Sequence, residues 1–135
     1  MSLSHIPDNK DGGTIDNVFL RMGTYGAAMT NCFIFIDIVE SKHPEKTKMV
    51  AQILDQQKEL IPILVKLNII GFFKPIEWLK TNDQGRLMTI LLYFTQNPDS
   101  IDKDVIECIH QKLSKNEICD HLKPLIKIIE EHHHE

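Results

Sequence analysis

The stretch from Val18 to Val39, VFLRMGTYGAAMTNCFIFIDIV, constrains this chain more than any other. It is almost wholly apolar, holds Gly23 and Gly26 three apart, and is broken by Arg21, Asn31 and Asp37. Such a segment either enters a bilayer or is buried by protein. Spanning a membrane takes about 20 predominantly apolar residues, each rising about 1.5 Å through a hydrocarbon layer roughly 30 Å thick. The longest run without charge, Met22 to Ile36, falls short of that. Extending it takes in Arg21 or Asp37, each costing about 3 kcal/mol near the bilayer centre. The first residues lack the basic, apolar and small-residue succession of a secretory leader. Lys42, Lys46 and Lys48 behind the stretch keep a second reading open, a helix docked on a membrane. A buried helix is the favoured expectation.

From Thr14 onward, Ile15, Val18, Phe19, Met22, Met29, Phe33 and Ile36 fall near helical spacing, with Thr14 as the expected N-cap. Cys32 to Val39 alternates β-forming residues, but no second clear strand exists to pair with it. Each glycine costs a helix about 1 kcal/mol relative to alanine, so close packing should compensate at Gly23, Gly26, Ala27 and Ala28. That packing lies either within the domain or against a second copy or partner helix. Asn31 and Asp37 need hydrogen-bond partners if they are buried, in the core or in an interface.

Downstream the pattern stays helical. Pro44 opens a segment whose stripe is Met49, Val50, Ile53, Leu54, Leu60, Ile61, Leu64 and Val65, with Gly71 ending it. Pro62 inside that stripe predicts a kink or two abutting helices, because it cannot donate to the Lys58 carbonyl. A short helix is expected from Ile76 to Lys80. Thr81–Gln84 and Ser114–Glu117 resemble capping boxes that open helices over Leu87–Phe94 and Ile118–Ile129. Another helix is expected from Ile101 to Leu113, and Pro124 should interrupt the last one. The fold class is all-α, a single compact domain of about five to six helices.

Composition sets the remaining bounds. A chain of 135 residues suits one domain with a core that needs no metal or disulfide. Residues 1–13 read as a flexible leader, 14–131 as the helical domain and 132–135 as a His-rich tail. A net charge of −4, with Arg21 and Arg86 the only arginines, argues against nucleic acid as a partner. Cys32, Cys108 and Cys119 are an odd set without a C-x-x-C pair, which fits a reducing, cytoplasmic setting.

Three segments share the form apolar-x-Pro-apolar: Leu60-Ile-Pro62-Ile63, Phe73-Lys-Pro75-Ile76 and Leu122-Lys-Pro124-Leu125. Proline either starts helices at these places or bends the chain between repeated packed helices. Ile61-Pro-Ile-Leu-Val-Lys-Leu67 resembles the second helix of an armadillo repeat, and Ala28-Met-Thr-Asn31 resembles the end of its third. The resemblance to the armadillo/HEAT class implies a short array: a lone third helix at 14–40, a loose repeat at 44–96 and a partial one at 101–131. The segment GFFKPIEWLK is longer than the family's usual loop, and Leu91–Thr95 lacks the asparagine its ladder expects, so an irregular bundle is the other form.

Motifs for chemistry are scarce. Cys108-Ile-His110 and Cys119-Asp-His121 carry zinc-ligand types, but residues two apart on a helix point about 200° from each other. No G-x-S-x-G turn or phosphate loop is present. The expectation is a non-catalytic protein–protein interaction module, an adaptor or scaffold, without cofactor or metal, that binds a protein partner or itself. Its expected contact residues are Gly23, Gly26, Ala27, Asn31, Phe72, Phe73 and Trp78. The alternatives are a membrane-peripheral component using the first helix, and an enzyme whose site is assembled in space.

Overall fold

The computed structural model describes residues 10–67 and 75–133, with side chains from Met22 onward in the first helix. Among these residues the chain is all-helical. Six α-helices follow one another: α1 (Lys10–Glu40), α2 (Lys46–Lys66), α3 (Pro75–Leu79), α4 (Gln84–Gln96), α5 (Lys103–Ser114) and α6 (Lys123–His133). Short 3₁₀ turns at Pro98–Ser100 and Asp120–Leu122 lead into α5 and α6.

The sequence of α4 explains its place. Leu87, Met88, Ile90, Leu91, Leu92 and Phe94 leave no polar stripe, so the helix has to be covered on every side. It is packed by α1, α2, α3 and α6. Five of those six side chains have no exposed surface, and Leu92 has 3%. Each contributes about 1.5–3 kcal/mol of burial. The flanking helices are amphipathic. α2 buries Val50, Ile53, Gln57, Ile61 and Leu64, and α6 buries Ile126 and Ile129.

Side chains fix several ends differently from expectation. Helix α1 begins at Lys10, so Gly12, Gly13 and Thr14 lie inside it and Thr14 is not the N-cap. Two glycines lower helix propensity without forbidding the helix. Residues 1–9 of the expected leader lie outside the described residues. At α4 the cap is Asp83, whose carboxylate accepts from the Arg86 amide at 2.9 Å, while Thr81 Oγ1 accepts from the Asp83 amide at 3.1 Å. Ser114–Glu117 closes α5 and opens nothing. The Glu117 amide donates to the Lys112 carbonyl and the Asn116 amide to that of Leu113. Asn116 takes φ 56° there, the left-handed turn that ends a helix.

The proline segments play two parts, so the three do not share one structural role. Pro75 and Pro124 stand in the first turns of α3 and α6, where a missing amide donor costs nothing. Pro124 therefore starts a helix and does not interrupt one. Pro62 lies within α2, which runs through it as one helix. The carbonyl it deprives, Lys58, accepts a hydrogen bond from Gln96 Nε2 at 3.0 Å. The bundle is irregular. His132 and His133 extend α6 past the expected limit at 131.

Candidate functional site

Helix α1 presents two faces that differ in what covers them. On the inner face Thr24, Ala28, Asn31, Cys32, Phe35 and Ile38 are buried against α2 and α4. Their spacing of three and four residues matches a continuous helical stripe.

A polar cluster sits in the middle of this contact. Asn31 Nδ2 donates to Gln57 Oε1 at 2.9 Å, and Gln57 Nε2 donates to the Ala28 carbonyl at 3.1 Å and to Thr89 Oγ1 at 2.8 Å. Thr89 donates its own hydroxyl proton to the Gly85 carbonyl at 2.9 Å. With that proton committed, the contact of 3.2 Å between Cys32 Sγ and Thr89 Oγ1 is a thiol donating to oxygen. Burial raises the Cys32 pKa. Asn31 is therefore buried and satisfied in the core of this chain. Gln57 was legible in the sequence only as a polar interruption of the α2 stripe.

The glycines divide in an unexpected way. Among the described residues, a Cβ at Gly23 or Gly26 would meet nothing within 4 Å, so neither closes a contact with the described part of the chain. The close contact is at Gly85, where a Cβ would lie 2.5 Å from the Cys32 carbonyl oxygen. Of the two placements the sequence left open for Gly23 and Gly26, the described core does not supply the internal one, since both point to the outer face. Ala27 is exposed as well.

That outer face is apolar. Met22 is 64% exposed and Phe33 is 60%, with Tyr25 and Ile34 at about two-fifths. Met22, Gly26, Met29, Phe33 and Ile36 recur every three or four residues, opposite the buried stripe, with Met29 and Ile36 half-buried at its margin. Asp37 and Glu40 end the face and are exposed. Asp37 therefore needs no buried partner. Within α1, Met22–Glu40 has mean hydropathy 1.3 over 19 residues and is one-third buried, enough by length and composition to cross a membrane.

The other expected contact residues do not join this surface. Trp78 is half-buried against the core on α3, which packs on α4 and α5 and away from α1. Phe72 and Phe73 lie outside the described residues. A polar cleft of about 480 Å³ opens beside α3 and α5, lined by Lys80, Asp104, Glu107, Cys108, Lys112 and Lys115 among others. Lys112 is buried there, donating to Asn82 Oδ1 at 3.0 Å and lying 3.8 Å from the Glu117 carboxylate. Burial raises the Cys108 pKa despite Lys112 and Lys80, so its thiol stays protonated near neutral pH.

Neither C-x-H pair gathers into a metal cluster: among the described residues no three His, Cys, Asp or Glu side chains converge. His110 lies 3.6 Å from the Glu130 carboxylate instead. Gln84 does not reach back to cap α4 as the capping box predicts; it clamps the segment before α6. Its amide donates to the Glu117 carbonyl at 2.8 Å and accepts from the Cys119 amide at 2.9 Å. No protein family, curated protein or solved structure matches the chain.

Proposed function

We propose that this chain is a non-catalytic protein–protein interaction module that works through the outer face of α1. The observation that carries the reading is the exposure of Met22 and Phe33 on a helix whose opposite face is already held by the core. Large apolar side chains in a row on a surface helix mark an interaction site. Gly26 supports it, because a helix glycine that no described residue approaches gains no packing from the described core. Such a module acts as an adaptor or scaffold piece, by shape and apolar contact. We place it in the cytoplasm, supported by three free cysteines.

The test compares the intact protein with Phe33→Glu in affinity capture from lysate of its own cells. Phe33 is exposed, so the variant should keep its helicity and melting temperature while losing the captured protein. Identical capture by both proteins would remove the α1 face from the function.

A second reading rests on the hydropathy of Met22–Glu40, a helix that docks on or in a bilayer. Flotation with liposomes decides it. Protein that stays at the bottom of the gradient rejects that reading.

A further inference from the structure

The charges that close the outer face of α1 say which kind of partner fits it. Between Met22 and Ile36 the helix carries no charged residue. Asp37 and Glu40 then follow on the same exposed side, and neither forms an ion pair with a described residue. Of the three lysines that follow this end, Lys46 is committed elsewhere, its ammonium donating to the backbone carbonyls of Val39 and Ser41, while Lys42 and Lys48 are exposed beyond the helix. Because the Lys46 ammonium sits on the terminal carbonyls of α1, it offsets the negative pole of the helix dipole, and the negative charge here is that of Asp37 and Glu40. The surface is thus an apolar strip with a negative end.

From this charge arrangement we propose that the occupant is a basic amphipathic helix of another protein. Its apolar stripe lies along Met22, Gly26, Met29 and Phe33, and its lysines or arginines face Asp37 and Glu40. The proposal rests on the interaction reading above and names the partner's chemistry. A second copy fits less well. Paired in parallel, it sets Asp37 and Glu40 against themselves. Paired antiparallel about Met29, it sets Asp37 against the register position of Arg21 but Glu40 against that of Val18, so only one of the two carboxylates meets a cation. An anionic bilayer meets the same two carboxylates with like charge. A cationic helix satisfies both parts of the surface, and the open space at Gly26 admits a large side chain from it.

Two synthetic helical peptides of about 18 residues, long enough to cover the face, test this with the intact protein. One has a leucine stripe with lysines elsewhere, and the other has the same stripe with glutamates. By fluorescence anisotropy the lysine peptide should bind at least tenfold more tightly than the glutamate peptide. Phe33→Glu should weaken it by about a hundredfold, as expected of a central contact. The variant Asp37→Lys/Glu40→Lys should reverse the preference between the peptides.

Several results would overturn the proposal. Equal binding of the two peptides, still abolished by Phe33→Glu, rejects the basic partner and leaves the interaction reading standing. Dimerisation in sedimentation equilibrium that Phe33→Glu abolishes assigns the face to a second copy. Flotation with anionic liposomes assigns it to a membrane. Absence of peptide binding, of dimerisation and of Phe33-dependent capture rejects both the proposal and the interaction reading.

Discussion

A Cβ placed on Gly85 would lie 2.5 Å from the carbonyl oxygen of Cys32 and 2.7 Å from its Cα. Helices α1 and α4 therefore meet backbone to backbone, and the polar cluster around Gln57 lies beside that contact. Gly85 lets Thr89 and Cys32 come within hydrogen-bonding range, since any side chain there would push the helices apart.

Gly85→Ala should cost about 3 kcal/mol, because the atoms it strikes belong to backbone that cannot turn aside. Gly23→Ala should act in the opposite sense, stabilising by about 0.5–1 kcal/mol through helix propensity. Urea unfolding of the two variants checks both signs. A Gly85→Ala midpoint equal to that of the parent would disprove the contact.

Gln57 has no exposed surface and makes four of the cluster's hydrogen bonds, one of them from Nε2 to Cys32 Sγ. Gln57→Leu should cost about 3 kcal/mol, because Asn31 and the Ala28 carbonyl are left buried without it. Adding Asn31→Leu should recover part of that loss by removing one orphaned group. The four proteins form a double-mutant cycle, and additive costs would mean the two amides do not interact.

Gln96 substitutes for the amide that Pro62 lacks. Gln96→Ala should cost about 1 kcal/mol in the parent chain, where the Lys58 carbonyl then has no protein donor. In a Pro62→Ala background, where residue 62 can donate to Lys58, the same change should cost close to nothing. Thermal melts of the four combinations test this. A cost that is the same in both backgrounds would separate Gln96 from the proline.

Burial raises the pKa of Cys32, Cys108 and Cys119 above the unfolded value. The folded protein thus keeps thiol protons at a pH where the unfolded chain has lost them. Their contribution is complete below about pH 8.5 and declines as pH rises above it. Urea midpoints at about pH 7.5 and about pH 9.5 should show the fall, and Cys32→Ala should make it shallower. Cys32, at 1% exposure, should also be the last thiol to react with an alkylating reagent.

Much of the fold was legible because burial leaves a period in the sequence. The stripes at Val50–Leu64 and Ile126–Ile129 are buried where the spacing placed them. Helix ends were less legible. Thr81–Gln84 contains two possible caps, and the choice of Asp83 depends on how the chain enters α4. Gln84 was free to clamp the Cys119 amide only because Asp83 took the cap.

The residues alone determined that the chain is helical, that Leu87–Phe94 is an apolar run within a helix, and that Val18–Val39 is almost wholly apolar. These follow from local spacing and transfer energy, which act within one helix. Only the tertiary structure decided which glycine is tightly packed and which lie open. Gly85, Gly23 and Gly26 are chemically identical, and they differ only in what another helix brings to within a few ångströms. The same holds for Val18–Val39: its composition requires cover, and the packing of α2 and α4 supplies it on one face. The outer face is left with Met22, Phe33 and a negative end for a partner to meet.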